Sequence, residues 1–183
     1  MKRLNYRKII SVIFFAIVLA IIFRTVLFAS YVVDGESMEP TLNDGNLLMV
    51  NKVVYNVKDV DRFDVIVFHA NKQNDYVKRV IGLPGDEIVY QDDKLYINGK
   101  YVEENFLEPF RDVNEATPFT KDFALQEITG ASKVPEGKLF VMGDNRDNSL
   151  DSRSFGFISV EQLVGKVDIK YWPLSQASFS LGK

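Results

Sequence analysis

Apolar and polar positions divide this chain into two unlike regions. Ile9 to Phe23 is apolar apart from Ser11, and after Arg24 and Thr25 the run resumes from Val26 to Ala29. A helix of about 20 such residues crosses a hydrocarbon core of roughly 30 Å. Lys2, Arg3, Arg7 and Lys8 precede the run, a flank that holds residues 1–8 in the cytoplasm and sends residues 30–183 outside. Arg24, near the outer end, can snorkel to the interface. A retained transmembrane anchor over residues 9–29 is therefore expected. The alternatives are a removable signal peptide, for which Leu27 fits the −3 position poorly if Ala29 is −1, and a buried core helix.

Beyond residue 30 the period changes. Tyr31–Val33, Leu47–Val54, Asp64–Phe68, Tyr76–Ile81, Glu87–Tyr90 and Leu95–Ile97 are short runs rich in Val, Ile, Phe and Tyr, which predict strands. Asn98-Gly99 between "LYI" and "KYV" predicts a hairpin, and Leu83 to Asp86 ("LPGD") a turn. The pattern fades from Glu103 to Pro135, which predicts an irregular insertion over 103–135. Strand character returns at Leu139–Met142 and Val164–Trp172, and Val160 to Leu163 resembles a helical turn. The expected fold is mostly β, an antiparallel sheet catalytic domain over 30–183 on a single amino-terminal transmembrane helix.

Charge sharpens this division. The formal charge of −3 hides five basic residues and no acid in residues 1–28, leaving 17 basic and 25 acidic residues in the remaining 155. A net acidic domain offers no electrostatic reason to bind nucleic acid. Absence of cysteine excludes disulfides and thiol nucleophiles. His69 is the sole histidine, so a Ser-His-Asp triad would have to use it, and its place between "DVIVF" and a polar loop reads as a surface histidine.

Three polar stretches can carry chemistry. In "DGESMEP" (Asp34 to Pro40), Ser37 sits between Gly35 and Pro40 in a tight turn, as an ordinary turn serine or as a nucleophile. In "YVKRVIG" (Tyr76 to Gly82), strand alternation forces either Lys78 or Arg79 to share a face with apolar neighbours. Such a lysine either snorkels from an edge strand or is desolvated, and desolvation leaves a neutral amine able to act as general base. The third, "GDNRDNSLDSRSFG" (Gly143 to Gly156), fails as an EF-hand, since in a loop starting at Asp147 position 6 is Ser152 and position 12 is Ile158. It is either a solvated loop or a buried network that fixes catalytic rotamers. With His69 placed at the surface, a Ser-Lys dyad is the better catalytic proposal.

Taken in order, the apolar segment, "GESMEPTL", "RFDVIVF", "YVKRVIGLPGD" and "GDNRDNSLDSRSFG" resemble the type I signal peptidases, in particular the short Gram-positive form with one anchor. The resemblance implies a cell-membrane serine endopeptidase, single-pass and with its catalytic domain outside, that removes signal peptides from exported preproteins beside membrane lipid. It implies Ser37 as the acyl-forming nucleophile and Lys78 as its general base. It further implies that Ser149 orients the lysine, that Arg79, Asp144, Arg146, Asp151 and Arg153 support the site, and that Met38 and Pro40 shape the substrate cleft. Small residues, chiefly alanine, at P1 and P3 of the substrate are implied as well. Metal and organic cofactor are unnecessary to such a mechanism. Some Gram-negative members place a serine where Gly35 stands, so the oxyanion here is expected to face backbone N–H groups, including that of Ser37. Phe63 also replaces a usual glycine. Two other classes fit parts of the chain: a catalytically inactive anchored β-domain that binds exported segments, and a self-cleaving repressor type of Ser-Lys peptidase, which lacks an anchor and needs an Ala-Gly or Cys-Gly dipeptide absent here.

Overall fold

The computed structural model describes residues 6–107, 118–179 and 181, with no side chains described for residues 22–25. The apolar segment forms α1 (Tyr6–Leu27), 22 residues long and so about 33 Å in length. Its apolar side chains, Ile10, Val12, Phe14, Phe15 and Ile17 among them, stand exposed and do not pack on the domain. Over the side chains that are described, no helix is long and apolar enough to cross a membrane. The helix also begins and ends earlier than residues 9–29, because Phe28 and Ala29 already pair in a strand.

Eleven strands among the described residues form two antiparallel sheets. β1 (Phe28–Val32), β2 (Leu47–Asn51), β3 (Val65–His69), β4 (Asp75–Gly82), β9 (Lys138–Met142), β10 (Ile158–Ser159) and β11 (Leu163–Trp172) make the larger, in the order β1-β2-β11-β3-β4-β9-β10. β5 (Ile88–Gln91), β6 (Lys94–Ile97), β7 (Lys100–Val102) and β8 (Phe123–Ala124) make the smaller, in the order β7-β6-β5-β8. The expected antiparallel, mostly-β architecture is the one observed.

The continuous apolar run "VIVF" of β3 follows from burial on both faces. Val65 and Val67 enter one core cluster with Val33, Met38, Leu42, Leu48 and Val50, while Ile66 and Phe68 enter another with Val80, Leu139 and Val141. A third cluster joins the two sheets, with Ile81, Phe140 and Met142 from the larger meeting Ile88, Tyr90, Leu95 and Ile97 from the smaller. Asn98 and Gly99, with φ of 52° and 74°, make the hairpin between β6 and β7. Asp92 and Asp93 do the same between β5 and β6, at φ of 50° and 61°.

Of the segment 103–135, the structure describes residues 103–107 and 118–135. Its described part supplies β8 and a short helix, α2 (Leu125–Thr129), and buries Glu104, Leu107, Thr120, Leu125 and Val134. Tertiary contacts set this order, since Leu125 and Val134 complete the cluster between the sheets.

Candidate active site

Ser37 and Lys78 meet from different parts of the fold. Ser37 lies in the turn between β1 and β2, where Gly35 adopts φ of 95° and donates its N–H to Asp44 Oδ1 at 2.9 Å. That left-handed conformation suits glycine alone without strain. Lys78 sits midway along β4, cross-strand from Ile66 of β3. Its side chain is 4% exposed, and Nζ donates to Ser37 Oγ at 2.6 Å and to the Val77 carbonyl at 3.1 Å.

Burial outweighs every other influence on this lysine and pushes it down to about 8, against a partial upward pull from Asp151 and Asp144. Desolvation penalises the ammonium, so a neutral amine becomes accessible near physiological pH. Strand alternation had required one of Lys78 and Arg79 to lie among apolar neighbours. Both do, Arg79 with no exposure at all.

Arg79 is accommodated by saturating its guanidinium. Nε and Nη2 donate to Asp144 Oδ1 and Oδ2 at 2.8 and 2.6 Å, Nη1 donates to the carbonyls of Phe63 and Leu181, and the Phe106 ring stacks 3.8 Å away. Phe63 itself adopts φ of 71°, which explains why a glycine would suit its position.

The polar stretch after β9 is a network, not a solvated loop. Asn145 N–H donates to the Ser37 carbonyl at 3.1 Å and its side-chain amide to the Glu36 carbonyl at 3.1 Å, so the loop grips the Ser37 turn. Asp151 caps the helix α3 (Ser152–Phe155) and accepts from Gly143 N–H at 3.0 Å and from Arg153 Nε and Nη2 at 2.9 and 2.8 Å. Burial alone would raise its carboxyl, but Arg153, the Gly143 N–H and Ser149 together hold it below the usual range.

Gly143 is required by close approach. A Cβ there would lie 2.2 Å from Ser149 Oγ and 2.3 Å from the Ser37 carbonyl oxygen. Ser149 Oγ is buried beside this glycine, next to the Asp151 carboxylate that it helps to stabilise, and the acceptors of Lys78 Nζ are Ser37 Oγ and the Val77 carbonyl.

Arg146 is directed to the smaller sheet instead of the dyad. Its guanidinium donates to Glu104 at 2.6 Å, Tyr90 Oη at 2.9 Å and Thr120 Oγ1 at 3.1 Å, all buried. Although burial opposes its charge, Tyr90 and Glu104 hold it in the protonated form.

A cavity of about 200 Å³ is lined by Ser37 and Lys78 together with Tyr31, Val33, Met38, Asp75, Val77 and others. Met38 is among the residues that line this cavity, and Pro40, which follows a cis bond from Glu39, is not. The Ser37 N–H donates to no acceptor among the described residues. His69 ends β3, 62% exposed, with Nδ1 2.6 Å from Asp75 Oδ1. The hydrogen-bond partner of Ser37 Oγ is Lys78 and not His69. Tyr31, Asp75, Gly143, Asn145 and Glu104 were not singled out by sequence. Gly143 had a readable sign, as the glycine that opens the polar stretch.

Residues 6–172 match the family described as "Signal peptidase, peptidase S26". Signal peptidase I of Bacillus caldolyticus is 54% identical over 166 residues, 91% of each chain. Signal peptidase IB of Staphylococcus aureus (strain MRSA252) is 40% identical over 184 residues, covering 98% of this chain and 96% of its own. A solved structure of a signal peptidase I from Enterococcus faecalis V583 superposes with a TM-score of 0.56 at 43% identity, over 61% of this chain and 98% of that one.

Proposed function

This chain belongs to the signal peptidase family, peptidase S26, and we propose that it cleaves signal peptides from exported preproteins at a membrane surface by a Ser37–Lys78 dyad. One observation carries the catalytic assignment: Lys78 Nζ, desolvated, within 2.6 Å of Ser37 Oγ at the wall of a cavity.

In the neutral form of Lys78 the contact reverses, and Ser37 Oγ–H donates to Nζ. As Oγ attacks the scissile carbonyl, Nζ takes the proton, and the tetrahedral oxyanion faces the Ser37 N–H. Collapse expels the amine of the mature chain, which receives that proton from Nζ and leaves an acyl-serine. Water then attacks the ester, giving its proton to Nζ, and Ser37 is regenerated. Asp144 and Asp151 limit how far the lysine is depressed, while the Asn145 clamp on Ser37 and the Arg79–Asp144 pair fix both partners in place. Of the other residues expected to support the site, Arg153 acts by holding Asp151, and Arg146 by tying the loop to the smaller sheet.

The anchor completes the reading. α1 presents exposed apolar residues among its described side chains and ends at Leu27, ten residues before Ser37. An extended chain covers at most about 3.3–3.6 Å per residue, which keeps the nucleophile within roughly 36 Å of the helix end, at the depth where a membrane-bound signal segment emerges. With basic residues before the helix, the peptidase domain lies on the extracytoplasmic side. Purified chain incubated with a preprotein in liposomes should release the mature protein, and Ser37→Ala should not.

A further inference from the structure

The larger sheet leaves a strand position vacant beside the dyad. β1 pairs with β2 along one edge, and β4 pairs with β3 on one side, whereas β9 takes the other side of β4 only from Arg79 onward. The outer edge of β1 and the Asp75–Lys78 half of β4 therefore both border the cavity that holds Ser37. Three strands separate β1 from β4 in the sheet order, yet Tyr31 Oη donates to Asp75 Oδ2 at 2.9 Å.

Neighbouring strands lie about 4.8 Å apart, so two edges flanking one vacancy are about 10 Å apart, beyond backbone hydrogen bonding but within reach of a tyrosine. The Tyr31 ring packs on the cluster of Val33, Met38 and Val67, which places it on the core side of the gap. The second oxygen of Asp75 lies 2.6 Å from Nδ1 of His69, its cross-strand neighbour, so the carboxylate is held from both sides. Burial, and then the Asp75 carboxylate, push the Tyr31 phenol up to about 12, so it stays a donor across the working range.

We propose, resting on the peptidase reading above, that the Tyr31–Asp75 hydrogen bond is a strut that keeps these two edges one strand-width apart, making Tyr31 and Asp75 positioning residues for an extended substrate chain. The strut acts on substrate seating, while the proton transfers stay with Ser37 and Lys78.

The test uses the full chain in detergent micelles with a synthetic peptide spanning a signal-peptide cleavage site that carries alanine at −1 and −3. Tyr31→Phe and Asp75→Ala should each raise KM about five- to tenfold, the loss of one charge-assisted hydrogen bond, with kcat changed less than about twofold. Because both act through one bond, the double variant should be no worse than the weaker single variant. Melting temperatures should stay within about 3 °C of the parent. Unchanged KM, losses that multiply in the double variant, or a KM rise matched by a large fall in melting temperature would each overturn the strut. Parent and Ser37→Ala run alongside: parent cleavage abolished by Ser37→Ala leaves the peptidase reading standing whatever the strut variants do, and its failure overturns both readings.

Discussion

Arg79 and Asp144 form a bidentate ion pair at 2.8 and 2.6 Å in which neither side chain has any solvent exposure. Arg79 follows Lys78 on β4, and Asp144 lies beside Asn145, which grips the Ser37 carbonyl. The pair therefore joins the strand that carries Lys78 to the loop that holds Ser37. Removing one member of a buried pair leaves the other charge uncompensated, at a cost of about 3–5 kcal/mol. Asp144→Ala is expected to lose stability of that order in denaturant unfolding. Any folded fraction should titrate Lys78 at lower pH, since Asp144 pulls the lysine upward.

Gly143→Ala tests the fit between the loop and the Ser37 turn. Its Cβ would meet the Ser37 carbonyl oxygen and Ser149 Oγ at 2.3 and 2.2 Å, and a backbone atom cannot step aside as a flexible side-chain tip can. The Ser37 turn must shift, and displacements of about 1 Å cost on the order of a hundredfold in rate. Peptide cleavage should fall by about that factor in kcat/KM. The loss should greatly exceed any change in melting temperature.

Phe63 offers a test of backbone strain. At φ of 71° a side chain is disfavoured, and packing against Phe106, with ring centroids 5.1 Å apart, offsets that cost. Truncation to alanine removes the packing and keeps the strain, whereas glycine removes both. Phe63→Gly should therefore be more stable than Phe63→Ala by about 0.5–1 kcal/mol, the reverse of the usual order. Thermal unfolding of the two variants side by side measures this.

How far the sequence disclosed this molecule depended on the range of the forces involved. β3 was legible because "VIVF" is buried on both faces, and the β6–β7 hairpin because Asn98-Gly99 suits positive φ. Ser37 and Lys78 were legible from the family motifs that contain them. α2, β8 and the Glu104–Arg146 pair were not, since they exist through contacts with the smaller sheet. The strut was hidden for the same reason, as Tyr31 and Asp75 are 44 residues apart. Ser149 was placed by motif position alone, and in the fold its hydroxyl lies buried against Gly143.

The histidine and the lysine make opposite predictions. His69 pairs with Asp75 while mostly exposed, and such pairs contribute about 0–1 kcal/mol. His69→Ala should keep peptide cleavage within about threefold to fivefold of the parent. Lys78→Arg should abolish turnover, because a guanidinium remains charged and cannot accept the serine proton. Strong loss with His69→Ala would restore a histidine-based mechanism.

The most direct measurement is the pH dependence of kcat/KM for the full chain on a defined signal-peptide substrate, which reports the base of the free enzyme. Lys78 must be neutral to act, and burial pushes it down to about 8. Cleavage should therefore rise about tenfold per pH unit at low pH and level off above about 8, with Lys78→Ala inactive throughout. A profile flat through that range, a rise centred near about 6.5 as for imidazole, or a Lys78→Ala variant with parental turnover would contradict the dyad.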